Sequence, residues 1–111
     1  MKLIIAIVQD EDAQRLISTL MEAHFGVTKL ATTGGFLRAG NTTLISGVED
    51  ERLPEALDII ERLCRSRQQM TAAPTSPAAG MGGMGHTHYP VKITVGGATV
   101  FVLEVSQFLK V

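Results

Sequence analysis

The chain has 111 residues, 45% of them hydrophobic, and its 10 basic and 11 acidic side chains leave a formal net charge of −1. That length supports one domain with one core, which buries about two thirds of the surface that the unfolded chain exposes. Near-neutrality excludes a long-range field that would gather polymeric nucleic acid, so an anionic ligand has to be held by local geometry.

The opening MKLIIAIVQDED carries an apolar run of about seven residues, short for a secretory signal, and it runs into acids where a small-residue cleavage site would follow. No stretch reaches the roughly 20 apolar residues of a membrane span. The single cysteine, Cys64, has no internal disulfide partner. A soluble, cytoplasmic protein with no membrane partner is expected.

In chain order, residues 3–8 are continuously apolar and rich in isoleucine and valine, the pattern of a strand covered on both faces. Asp10 or Asp12 is the expected N-cap of a helix. Its apolar stripe is Ala13, Leu16, Ile17, Leu20 and His24, and it is expected to stop near Phe25-Gly26, with glycine as C-cap. Strands are expected over residues 27–33 and 42–48, joined by a glycine-rich turn. Glu49, Asp50 and Glu51 suit the first turn of a second helix, where Pro54 is tolerated. Leu53, Ala56, Leu57, Ile60, Leu63 and Cys64 continue its apolar stripe, which marks Cys64 as a small buried hydrophobe in place of a reactive thiol. Arg62, Arg65 and Arg67 complement its carbonyl end.

Residues 69–90 turn to Ala, Pro, Gly, Met, Ser and Thr without periodicity and predict a long flexible loop. Val91, Ile93 and Val95 alternate, Gly96-Gly97 signals a two-residue hairpin, and residues 99–105 complete it as a last strand. The order βαββαβ, with one extra C-terminal hairpin strand, predicts a single α+β domain over 1–111, a ferredoxin-like sandwich with both helices on one face of the sheet. The other face of residues 3–8 would then be a wet apolar strip, and self-association is the expected cover.

Several motifs carry less than they suggest. Residues 80–85, GMGGMG, match a dinucleotide fingerprint in letters only, because no strand precedes and no helix follows them. His86 and His88 lack a third metal ligand nearby, and His24 reads as a half-buried helix-end histidine. No serine or cysteine stands in a nucleophile context, which argues against an enzyme.

The stretch TTGGFLRAGNTT, residues 32–43, is different. Gly34, Gly35 and Gly40 let successive amides form an anion-accepting nest. Thr28, Thr32, Thr33, Asn41, Thr42 and Thr43 add short neutral hydrogen-bonding groups, and an amide such as Asn41 both donates to and accepts from an adenine edge. Phe36 and Leu37 offer a stacking surface, where a base on an aromatic ring contributes about 1–3 kcal/mol. These parts describe a nucleotide pocket; a plain hairpin whose apolar tip packs on its own oligomer remains the alternative.

MKLIIAIVQDEDAQ, TKLATTGGFLRAGNTTLISGV and VGGATVFVL resemble the PII-like cyclic di-AMP receptor family, the PstA/DarA proteins. The resemblance covers the chain outside residues 69–90. It implies a non-enzymatic signal-transduction protein, a homotrimer of PII-like subunits with cyclic di-AMP bound between neighbours, no other cofactor or metal, and a downstream protein partner of unknown identity. Ligand binding would order the long loop. Carried over by position, Thr28 and Asn41 would contact the nucleotide, Gly35, Phe36 and Leu37 would line the adenine pocket, Gly47 would allow close backbone approach, and Phe101 would close the site. Family members often carry Asn and Arg where this chain has His24 and Gly26, and Gln near Lys110. A lost arginine–phosphate contact removes about 1.5–3 kcal/mol, which Lys29 or Arg38 would offset. The rival expectations are a CutA-like metal-binding trimer using His86 and His88, a PII-like sensor of another adenine nucleotide, and a small nucleotide-processing enzyme.

Overall fold

The computed structural model describes residues 1–30, 40–73 and 89–111. Along strand β1 (Lys2–Gln9) every second side chain is buried: Ile4, Ala6 and Val8 are buried, while Leu3, Ile5 and Ile7 are half-buried. A strand projects successive side chains to opposite faces, so β1 has one fully covered face and one partly covered face. Helix α1 (Asp10–Glu22), β2 (Thr28–Leu30) and β3 (Asn41–Val48) follow. A single 3-10 turn, Asp50–Arg52, leads into helix α2 (Leu53–Cys64), and then come β4 (Arg67–Ala73), β5 (Tyr89–Val95) and β6 (Ala98–Glu104).

These elements form two compact units, Met1–Arg65 with Gly96–Val111, and Ser66–Val95. The larger holds a four-stranded sheet in the order β2-β3-β1-β6, antiparallel at every step. Both helices lie on the face that carries Ile4, Ala6, Val8, Leu44 and Val48, with Leu16 and Leu20 of α1 and Ala56, Ile59, Ile60 and Cys64 of α2 completing the core. Each large side chain buried there contributes about 1.5–3 kcal/mol. The described residues thus form an α+β fold with two helices and antiparallel sheets, compatible with a ferredoxin-like, PII-like fold. Cys64 is buried, as its place on the apolar stripe requires. Among the described residues no helix is long and apolar enough to cross a membrane.

The smaller unit is a two-stranded antiparallel ribbon of β4 and β5, registered with Gln69 opposite Ile93 and Met70 opposite Lys92. Residues 69–73 and 89–90 are therefore strand and not loop; residues 74–88 of the expected flexible segment lie outside the described residues. The hairpin expected between residues 91–95 and 99–105 does not form, because β5 pairs with β4 and β6 pairs with β1. Gly96 and Gly97 do adopt the positive φ of a tight turn, 79° and 95°. Their amides are taken by partners remote in sequence: Gly96 N–H donates to Gln9 Oε1 at 2.7 Å and Gly97 N–H to the Cys64 carbonyl. Tertiary hydrogen bonds thus override a local pairing signal.

The ends of α1 also differ from expectation. Its N-cap is Gln9, without a side-chain cap, and Asp10 is the first helical residue. The Asp10 carboxylate instead accepts a hydrogen bond from the Thr42 hydroxyl. Asp10, Glu11 and Asp12 together complement the positive end of the helix. At the other end His24 takes the left-handed conformation, φ 66°, that was expected of glycine. Phe25 N–H donates to the Leu20 carbonyl and His24 N–H to that of Met21, both at 2.9 Å. This is the Schellman pattern, and Phe25 and Leu20 are both buried, as that motif's apolar contact requires. The imidazole itself is exposed, not half-buried.

Candidate functional site

Four of the seven site residues expected from the sequence lie among the described residues: Thr28, Asn41, Gly47 and Phe101. Gly35, Phe36 and Leu37 lie outside them. The register places Thr28 opposite Ile45, Ile45 opposite Ile5, and Ile5 opposite Phe101. Directly opposed residues project to the same face, so these four form one row across the sheet on the side away from the helices. Gly47, Leu3 and Leu103 form the next row, and Leu30, Thr43, Ile7 and Thr99 the row on the other side. This helix-free face is largely apolar and partly wet: Phe101 is 52% exposed, Leu103 46% and Leu30 41%.

Within one chain the four candidates do not converge. Thr28 and Phe101 stand at opposite edges of the sheet, three strand spacings or about 14 Å apart. Asn41 lies four residues from Ile45 at the far end of β3, again about 14 Å from the row that contains Thr28.

Asn41 and Thr28 nonetheless lie beside residues that are firmly anchored. Gly40, with φ 104°, turns the chain into β3, and its carbonyl accepts the Asp10 N–H at 2.8 Å. The Thr42 hydroxyl is bound to the Asp10 carboxylate. Asn41 is therefore flanked by two residues tied to the start of α1, while it is itself exposed. It borders a cleft of about 410 Å³ that Asp10, Gln14, Lys29, Leu30 and Thr42 also line. Thr42 and Thr43, expected from the sequence to help hold a ligand, are both buried, and the Thr42 hydroxyl is spent inside the chain.

Thr28 is positioned by the turn before it. Ser46 Oγ donates to the Gly26 carbonyl at 2.6 Å, and Arg52 Nη2 donates to the Ala23 carbonyl at 2.7 Å. The Arg52 guanidinium also lies 3.9 Å from the centre of the Phe25 ring. At Gly47 an added Cβ would meet only the Met1 sulfur, at 3.8 Å, an ordinary contact. Nothing described inside the chain requires glycine there.

These hydrogen-bonding side chains beside exposed apolar carbon suit binding of a flat, polar-edged ligand. The family model of the cyclic-di-AMP receptors matches residues 1–111. The chain belongs to the cyclic-di-AMP receptor family. It is also similar to a solved structure, that of a functionally unknown protein from Pediococcus pentosaceus ATCC 25745, at 44% identity over 99% of this chain and 96% of that one, with a TM-score of 0.74. Membership in a receptor family supports nucleotide binding and signalling and agrees with the resemblance read from TKLATTGGFLRAGNTT.

For a receptor of this family, the tethers of the α1–β2 turn are the part that sequence reasoning missed. Arg52 follows an acidic cluster and precedes a proline helix start, a context that points to solvent. Its partners Phe25 and Ala23 lie 27 and 29 residues earlier. Among the described residues no group of three or more His, Cys, Asp or Glu gathers as for a metal, and His86 and His88 lie outside them.

Proposed function

We propose that this chain is a second-messenger receptor that binds cyclic di-AMP between subunits of a homotrimer of PII-like, ferredoxin-like domains and signals to a downstream protein. The observation that carries this reading is the spread of the candidates. Thr28, Gly47 and Phe101 share one solvent-facing sheet face, yet Thr28 and Phe101 are about 14 Å apart within a chain. One ligand meets all of them when two copies bring opposite edges of their sheets together. Phe101 of one copy then stacks on a base near the Thr28 hydroxyl of its neighbour, and the dinucleotide extends along β3 toward that neighbour's Asn41, about 14 Å away. Gly47 leaves room that its own chain does not use. Gly35, Phe36 and Leu37 complete the adenine pocket in this reading.

The apposition also covers Leu3, Ile5 and Ile7, whose half-buried side chains favour a partner surface. The chemistry asked of the site is recognition without bond breaking, so the receptor is not an enzyme. The residues involved are neutral, so the dinucleotide's phosphates are held by main-chain amides and, at the edge of β2, by Lys29, which lines the cleft that Asn41 borders.

Titration calorimetry of the purified protein with cyclic di-AMP, ATP, AMP, and divalent copper or zinc tests this. Saturation by cyclic di-AMP at one site per subunit, abolished in Asn41→Ala, is the expected result. Tighter binding of ATP or AMP would make the protein a sensor of another adenine nucleotide. Metal binding abolished by joint replacement of His86 and His88, with no response to cyclic di-AMP, would replace the receptor reading.

A further inference from the structure

We propose that Arg52 is a positioning residue for the nucleotide site: it clamps the α1–β2 turn and so sets where Thr28 enters β2. This inference rests on the receptor reading above.

α1 ends without a basic residue in its last turn, so its carbonyl end has no cation of its own. Arg52 supplies one from the 3-10 turn before α2. Nη2 reaches the Ala23 carbonyl at 2.7 Å, and the guanidinium carbon lies over the Phe25 ring, 3.9 Å from its centre. Glu55 also holds the head group, accepting from Nε at 3.1 Å and Nη2 at 3.0 Å. Three kinds of interaction, a charged helix-end hydrogen bond, a cation–π contact and an ion pair, therefore meet on one planar group, a combination a lysine ammonium does not reproduce.

The clamped segment is short. It includes His24 in the left-handed conformation and ends at Gly26, whose carbonyl Ser46 Oγ holds at 2.6 Å. Two residues further on is Thr28. β2 is an edge strand with only three described residues, paired on one side to β3. The entry of a strand is placed by what anchors the residues before it, and Arg52 and Ser46 are the side-chain anchors described there. Arg52 touches none of the described candidate ligand positions; its effect on binding passes through Thr28.

A double-mutant cycle with cyclic di-AMP as titrant tests the proposal. Arg52→Ala is expected to raise Kd about tenfold in the wild-type background and to leave Kd nearly unchanged once Thr28→Ala is present. Arg52→Lys should recover only part of the affinity, since it restores the charge without the planar stack. Phe25→Leu, which removes the ring and keeps an apolar side chain, should reproduce part of the loss and serves if Arg52→Ala does not fold. Additive effects of Arg52→Ala and Thr28→Ala, or wild-type affinity in folded Arg52→Ala and Phe25→Leu variants, would overturn the inference and leave the receptor reading intact. A wild-type protein that binds no cyclic di-AMP would overturn both.

Discussion

The two faces of the four-stranded sheet are built from the same strands and carry similar residues, yet they differ in cover. On the helix side Ile4 and Leu44 are 2% exposed, whereas Phe101 and Leu103 on the other side are 52% and 46% exposed. Over β1 and β3 the helix side is a packed core, although Val102 on the edge strand β6, opposite Ile4, is 42% exposed. The other side has the composition of a core and the exposure of a surface, and an apolar strip of that kind marks an interaction face. Under the proposed function, the difference separates residues that hold the fold from residues that would hold a partner and a ligand.

Substitutions on the two faces should therefore fail in different ways. Leu16→Ala removes a side chain with no exposure at all and should cost about 2–5 kcal/mol in urea unfolding. Phe101→Ala should cost the isolated chain less than about 1 kcal/mol. Its main effect should be on assembly, seen as loss of the concentration dependence of the unfolding midpoint. Equal destabilisation by the two would mean that the faces are not different in kind.

Gly47→Ala sharpens the contrast on a single strand. The new methyl has room inside the chain, so stability should change by less than about 1 kcal/mol, while affinity for cyclic di-AMP should fall at least tenfold, about 1.4 kcal/mol. Unchanged affinity would remove Gly47 from the site. Thr28→Ala, which deletes one hydroxyl, should weaken binding by about 0.5–1.5 kcal/mol.

The smallest effect is expected far from both faces. The hydrogen bond from the Met1 amino group holds the Asp50 carboxyl below the usual carboxylate value; desolvation opposes it, and the charges of that amino group and of Lys2 add lesser lowering effects. A lowered folded value means stability that is present at neutral pH and lost as pH falls through that value. Asp50→Asn should thus be slightly less stable than wild type at neutral pH and indistinguishable from it in acid, as read by paired thermal melts.

Much of the larger unit was legible because its signals are local. The apolar run of residues 3–8 and the stripe through Leu16 and Leu20 state which side of each element faces the core. Pairing was less legible. Gly96 and Gly97 carry the torsions of a hairpin, but what they join is decided by the Gln9 side chain and the Cys64 carbonyl, which local patterning does not contain. The same limit applies to β4, whose polar residues 67–69 become a strand through their pairing with β5. Of the candidate site residues, Asn41 and Thr28 were picked out by residue type and resemblance, and both are exposed. The Arg52 clamp was not, because a charge beside Asp50 and Glu51 reads as solvated surface until Phe25 is brought beneath it.

The central claim is that cyclic di-AMP is held between copies by the helix-free face and not by a single chain. Native mass spectrometry of the full chain titrated with cyclic di-AMP tests it most directly. The account predicts assemblies of three chains that take up one ligand per chain, with no ligand on single chains. Ligand carried by single chains, or trimers that stay empty at saturating cyclic di-AMP, would contradict it.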